Sequence, residues 1–162
     1  MSAYDEARLL AVTGRVAEAR STLDAVLAAE PAHLGALLLK AGLLLEDRDV
    51  EAALALYRRA AAEWDGSSEA LNGLARCLHA LGRDPEALTL AERARDLLRE
   101  PANALQAAAV YLTLVWCLRE MRRYREALAA AEEGLERCPD AVLAHWAGVV
   151  EEDLAEAERE RC

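Results

Sequence analysis

Phenylalanine is absent from this 162-residue sequence, which also has only three Trp and four Tyr. Aromatic and β-branched residues are typical of β-strands, so this composition argues against a β-sheet protein. More than half of the residues are apolar, and most of these are Ala and Leu, which favour helices. We therefore predict an all-α fold.

Basic residues are too few to balance the acidic ones, which leaves a formal net charge of −10. A domain this acidic repels phosphate backbones, so we expect no nucleic acid partner. No apolar run approaches the roughly 20 residues that a membrane span needs, and the first residues lack the pattern of a signal peptide. We expect a cytoplasmic protein without membrane insertion.

Sequence motifs for metal binding and catalysis are also missing. None of the four cysteines forms a CxxC pair, and the three histidines stand singly, so no metal site is predicted. We find no Gly-rich phosphate loop, HExxH or GxSxG. The carboxylate runs near the C-terminus are interpreted as solvated helix faces. These absences predict a protein without a cofactor and without catalytic activity.

The cysteines fall into two groups by their neighbours in the sequence. Cys77 and Cys117 lie beside apolar residues and are predicted to be buried small hydrophobes in a reducing compartment. Cys138 and Cys162 are expected to be more exposed, and we assign them no role.

What the sequence does contain is a repeat of 34 residues. Alanines recur at this spacing in two series, Ala7, Ala41 and Ala75, and Ala19, Ala53 and Ala87. The second series continues at Ala127, 40 residues after Ala87, and the six extra residues lie between Pro101 and Ala109. We therefore expect the helix of about 102–121 to begin nearly two turns early. A repeat of this length indicates stacked pairs of helices.

Turn signals divide the repeat into helices. Gly14 and Gly82 are predicted to end helices by adopting a left-handed backbone. After Gly82, Asp84 is predicted to cap the next helix, with Pro85 at its first position. The helices are predicted at about 2–13, 16–30, 33–46, 49–63, 68–81, 85–99, 102–121, 124–137 and 140–160.

This pattern resembles the tetratricopeptide repeat (TPR) family, whose 34-residue helix-turn-helix unit has small residues where helices touch and a closing proline. The small residue of the second helix is Ala19, Ala53, Ala87 and Ala127, and the closing prolines are Pro31 and Pro139. Val115 departs from the small residue of the first helix, and Arg48 and Arg122 depart from the glycine of the turn. The resemblance implies a right-handed TPR superhelix, an α-α solenoid of four helix-turn-helix repeats.

The resemblance also implies a division of the chain. We expect one TPR domain over residues 1–162, with repeats at about 1–33, 34–67, 68–100 and 101–140. A capping helix at 141–162 would cover the last repeat, which would otherwise expose its apolar side. Its covering face would consist of Leu143, Trp146, Val149, Val150 and Leu154.

In such a superhelix, the first helix of each pair lines a concave groove. The groove positions predicted to bind a partner are Tyr4, Arg8, Leu38, Asn72, Arg76, His79, Leu112, Trp116, Arg119 and Trp146. Arginine and aromatic side chains dominate binding hot spots, which favours a peptide site. In the alternative interpretation, the arginines only pair with Glu46, Glu69 and Glu120 at the surface, and the long fourth-repeat helix covers Trp116.

The predicted function is non-catalytic protein–protein interaction. The chain would act as a scaffold or adaptor that offers its groove to a peptide or helical segment of another protein. One alternative is a chaperone for export substrates, because the chain resembles the small TPR chaperones of bacterial secretion systems in length, acidity and repeat content. A second alternative is a homo-oligomer formed through the helix near 102–110 or the apolar side of the last helix.

Overall fold

The computed structural model of the chain describes residues 1–98 and 103–161. These residues form nine α-helices and no β-strand, which confirms the all-α prediction. The helices are α1 (Ala3–Val12), α2 (Val16–Ala29), α3 (Leu34–Glu46), α4 (Val50–Glu63), α5 (Ser68–Ala80), α6 (Asp84–Asp96), α7 (Ala104–Glu120), α8 (Tyr124–Arg137) and α9 (Ala141–Arg159). Each helix packs on the next, and α1, α3, α5, α7 and α9 also contact one another in a row. The fold is therefore an all-α repeat solenoid.

The first helix of each pair begins at a polar cap. At α1, Ser2 Oγ accepts a hydrogen bond from the Asp5 amide (3.1 Å), and the Asp5 carboxylate accepts one from the Ser2 amide (3.1 Å). This reciprocal capping box satisfies two amide hydrogens that the helix leaves free. Side chains also cap α3, α5 and α7, at His33, Ser67 and Asn103.

The predicted capping role of Asp84 is wrong. The N-cap of α6 is Arg83, and Asp84 is the first helical residue. The Asp84 carboxylate instead lies 2.6 Å from Nδ1 of His79, near the end of the preceding helix. Pro85 is therefore the second helical residue rather than the first, although it still lies in the first turn of α6. The carboxylate thus joins two helices rather than capping one.

Each turn within a helical pair contains one residue with a left-handed backbone. Gly14 (φ +77°) and Gly82 (φ +70°) adopt it without steric cost, as predicted. Arg48 (φ 66°) and Arg122 (φ 58°) adopt it at the equivalent places, although a Cβ atom disfavours this conformation. The turn geometry is therefore the same in all four pairs.

The repeated alanines lie at the contacts between helices. Their side chains are 0% exposed at all seven positions, Ala7, Ala19, Ala41, Ala53, Ala75, Ala87 and Ala127. Val115, the departure from the series, is also fully buried. A longer side chain at such a place forces neighbouring helices apart, which costs about 1–3 kcal/mol. The alanines therefore set the spacing at which the pairs stack.

Helix α7 is longer than its counterparts, but by less than expected. It has 17 residues, against 13 in α3 and α5, and starts at Ala104. The extension is therefore about one turn rather than nearly two, at 3.6 residues per turn. Pro101, Ala102 and the predicted boundary between the third and fourth repeats lie outside the described residues, as does Cys162.

Helix α9 covers the last pair, as predicted for a capping helix. Leu143 and Val150 are fully buried, and Trp146, Val149 and Leu154 are half-buried. The prediction that Cys138 is more exposed is wrong, because Cys138 is only 2% exposed, and its thiol donates a hydrogen bond to the Gly134 carbonyl (3.1 Å). No helix in residues 1–98 or 103–161 is long and apolar enough to cross a membrane.

Candidate functional site

The row formed by α1, α3, α5 and α7 lines an open cavity of about 520 Å³, which we call the groove pocket. Five predicted site residues line it: Tyr4, Arg8, Leu38, Asn72 and Arg76. The start of α7 adds residues that the sequence did not indicate, among them Asn103 and Gln106. The extra turn of α7 thus closes one side of the pocket.

Tyr57 of α4 also lines the groove pocket, although it belongs to a second helix and was not predicted there. Its ring is 5% exposed and packs against Gly73 of α5, and its hydroxyl lies near Gly42 of α3. Burial raises the pKa of Tyr57 to about 12, so the phenol is neutral at physiological pH. The glycine positions on α3 and α5 were the sequence signal for a large side chain reaching between these helices.

The two arginines of the groove pocket are not neutralised by ion pairs. In the described part of the chain, neither Arg8 nor Arg76 lies within 4.0 Å of a carboxylate, although Glu46 and Glu69 line the same pocket. The Arg8 guanidinium lies 5.9 Å from the ring centroid of Tyr4, in cation–π geometry. The alternative interpretation, in which the arginines only pair with surface glutamates, therefore does not describe Arg8 and Arg76.

Asn72 is a buried polar residue on the wall of the groove pocket. It is 6% exposed, and its side-chain Oδ1 finds no hydrogen-bond partner among the residues that the structure describes. An unsatisfied buried acceptor costs about 1–3 kcal/mol. Oδ1 and Nδ2 can exchange places by a flip of the amide, so Asn72 can present either a donor or an acceptor to the pocket.

Four other predicted site residues form a second group, which we call the aromatic cluster: His79, Trp116, Arg119 and Trp146. The Trp116 ring lies between His79 (centroids 6.1 Å apart, stacked) and Trp146 (6.0 Å, edge-on). Arg119 donates a hydrogen bond to Asp153 of α9 (2.6 Å) and lies 5.6 Å from the Trp146 ring centroid. Unlike Arg8 and Arg76, Arg119 is thus paired with carboxylates, Asp153 and also Glu120 (3.5 Å), the partner named in the alternative interpretation.

The alternative interpretation of Trp116 is correct in part. Trp116 is half-buried, but it belongs to the long helix α7, and the side chains against it come from α5 and α9. Leu112 lines neither the groove pocket nor the aromatic cluster and packs against the core. The fold thus divides nine of the ten predicted residues between two neighbouring places and leaves Leu112 outside both.

The repeat resemblance can be compared with known families at this point. Two sequence models described as tetratricopeptide repeat match residues 4–68 and 66–140, so together they span the four helical pairs. This chain is a tetratricopeptide repeat protein. No curated protein matches it by sequence.

Several solved structures resemble this TPR protein. The crystal structure of MamA has a TM-score of 0.72 at 20% identity and covers 96% of this chain and 86% of its own. YrrB, described as a TPR protein with an unusual peptide-binding site, has a TM-score of 0.66 at 19% identity, covering 91% and 74%. The pilF protein of Pseudomonas aeruginosa has a TM-score of 0.80 at 17% identity, covering 95% and 68%. These likenesses confirm the fold.

The fold also assembles a cluster of metal-binding residue types in this TPR protein. One ligand atom each from His79, Asp84 and Cys117 lies within 4.8 Å of the other two. The prediction of no metal site considered spacing along the chain, and these residues are 5 and 33 positions apart. Their proximity depends on the stacking of the third pair on the fourth, which no short motif records.

Proposed function

We propose that this TPR protein is a non-catalytic scaffold that binds an extended or helical segment of another protein in the groove pocket. The proposal depends mainly on three polar side chains of the pocket: Arg8 and Arg76, which form no ion pair with a described residue, and Asn72, whose Oδ1 lacks a hydrogen-bond partner there. Natural folds leave few buried polar groups unpaired, so the buried amide of Asn72, beside two arginines in the same concavity, favours a ligand that completes it.

The chemistry of the groove pocket favours a peptide. Guanidinium groups bind carboxylates and backbone carbonyls, and a side-chain amide can pair with a peptide bond through its donor and its acceptor together. The neutral Tyr57 and the half-buried Leu38 add an apolar floor for a side chain of the ligand. The peptide-binding site named in the description of YrrB supports the same assignment. We place the protein in the cytoplasm, where its free thiols would stay reduced.

A peptide library tests this proposal. Peptides selected on the wild type would be measured by calorimetry against Arg76→Glu, which reverses one charge of the groove pocket. We expect at least about a tenfold loss of affinity, because a desolvated charge contact contributes about 1.5–3 kcal/mol. The matched control is Arg58→Glu, the same change at an exposed position of α4 that does not line the pocket.

The outcomes separate the alternatives. A segment bound only in the groove pocket loses affinity with Arg76→Glu and keeps it with Trp116→Ala, whereas a longer segment that reaches the aromatic cluster loses it with both. An export chaperone would instead keep an insoluble client in solution without preference for one sequence. A homo-oligomer would show a concentration-dependent mass in sedimentation. Equal affinity of Arg76→Glu and the wild type would contradict groove binding.

A further inference from the structure

Beyond the groove pocket, His79, Asp84 and Cys117 meet where the third helical pair stacks on the fourth. They come from three helices, α5, α6 and α7. The Nδ1 atom of His79 lies 2.6 Å from Oδ1 of Asp84, and Cys117 places its sulfur within 4.8 Å of the ligand atoms of both. His79 and Asp84 are partly exposed and Cys117 is fully buried, so the cluster extends from the core toward the surface.

The equivalent places in the two preceding stacking contacts hold no histidine and no charged side chain. With the repeat shift of 34 or 40 residues, they are Leu45, Val50 and Cys77 between the second and third pairs, and Ala11, Val16 and Leu43 between the first and second. These residues belong to the apolar clusters or pack against them. Stacking therefore does not require a histidine and an aspartate here. The polar pair is specific to the contact that also carries Cys117.

We propose that His79, Asp84 and Cys117 bind Zn²⁺. One imidazole nitrogen, one carboxylate oxygen and one thiolate sulfur are all ligand types of zinc, and three protein ligands leave a fourth position for water or another group. The thiolate argues against Mg²⁺ and Ca²⁺, which prefer oxygen ligands. The charges also balance, because a thiolate and a carboxylate cancel the two positive charges of the ion.

The geometry needs only a small adjustment. Zinc holds its ligands at about 2.0–2.3 Å, which places tetrahedral ligand atoms about 3–4 Å apart. The sulfur must approach by about 1 Å, and the contact between His79 and Asp84 must lengthen by about as much. Zinc binds the thiolate form of cysteine, so binding releases the proton of the Cys117 thiol. The bound ion would join α5, α6 and α7.

Anaerobic titration with Co²⁺ tests the site on the whole chain, because a cobalt–thiolate bond gives a near-ultraviolet charge-transfer band. We expect a band that saturates at one equivalent and is removed by added Zn²⁺. Cys117→Ser should abolish the band, and Asp84→Asn and His79→Gln should each weaken Zn²⁺ binding at least about tenfold. Trp116 stacks on His79, so its fluorescence should change in the same titration.

The matched control is Cys77→Ser, which removes the equivalent buried cysteine from a contact without His or Asp. This variant should keep the band and its stoichiometry. A wild type that shows no thiolate band, or a band that survives in Cys117→Ser, would overturn the proposal. If circular dichroism shows that Cys117→Ser is unfolded, the Zn²⁺ affinities of His79→Gln and Asp84→Asn test the site instead. Wild-type affinity in both of them would equally overturn the site.

Discussion

The ring of Tyr57 occupies the space that a side chain on Gly73 would need. A Cβ atom at Gly73 would lie closer than 3.0 Å to three ring carbons of Tyr57, Cδ1, Cε1 and Cζ. The ring is rigid and 5% exposed, so it has little room to move away. We expect Gly73→Ala to lower the free energy of unfolding by about 1–3 kcal/mol, measured by urea denaturation.

Gly42→Ala provides the control for this prediction. A Cβ atom at Gly42 would lie 3.7 Å from the Tyr57 hydroxyl oxygen, which is an ordinary van der Waals contact. Alanine is the better helix former by about 0.5–1 kcal/mol, so Gly42→Ala should stabilise the protein. Equal effects of the two substitutions would show that Tyr57 does not pack against Gly73 as described.

The left-handed backbone at Arg48 predicts a stabilising substitution. A residue with a Cβ atom incurs about 1–2 kcal/mol in this conformation, and glycine removes most of that cost. We expect Arg48→Gly to raise the free energy of unfolding by about 1 kcal/mol, with a higher midpoint in thermal denaturation. Arg58→Gly makes the same chemical change inside α4 and should destabilise by about the helix penalty of glycine. Destabilisation by both would contradict the turn geometry.

The helices and their small contacts could be predicted because each repeat position is sampled several times. Ala19, Ala53, Ala87 and Ala127 report one packing constraint, so an error at a single copy does not change the interpretation. Contacts that occur in only one repeat could not be checked against other copies in this way. Asp84 is a residue type that often caps helices, but in the fold its carboxylate forms a hydrogen bond with His79 instead. Cys138 lies at a helix end, and it is buried in the same apolar cluster as residues of the covering helix α9.

The candidate site could be predicted only in outline. The first helices do line the groove pocket, since groove positions recur with the repeat. Its floor was not predicted, because Tyr57 belongs to a second helix, although Gly42 and Gly73 leave the space through which it reaches the pocket. The division between Arg76 and Arg119 also depends on tertiary structure, since α9 places Asp153 beside Arg119, in addition to the neighbouring Glu120. Sequence spacing identifies a face of a helix but not what packs against that face.

The Asn72 side chain is expected to lower the stability of the fold and to contribute to peptide binding. Its buried carbonyl lacks a partner among the described residues, and asparagine is a poorer helix former than alanine. We expect Asn72→Ala to raise the free energy of unfolding by about 1 kcal/mol and to weaken peptide binding, measured by urea denaturation and calorimetry on the same preparation. Ser68→Ala is the contrasting case. The buried Ser68 hydroxyl donates a hydrogen bond to the Ala94 carbonyl (2.8 Å), so its removal should lower the free energy of unfolding. A loss of stability with Asn72→Ala would show that its side chain supports the fold.

Burial of acidic protons predicts a loss of stability at high pH. The pKa of Tyr57 rises from 10.0 to about 12 and that of Cys77 from 9.0 to about 11, both chiefly because burial disfavours the charged form. The unfolded chain therefore releases these protons first, and the native state loses stability as the pH rises from about 9 to about 12. Below pH 9 the contribution of these two buried groups to the free energy of unfolding is fully present. Tyr57→Phe removes one of these groups, so its free energy of unfolding should fall about 2–3 kcal/mol less than that of the wild type by pH 12. Urea denaturation at several pH values measures this difference, and parallel curves for the two proteins would show that the Tyr57 hydroxyl is not buried.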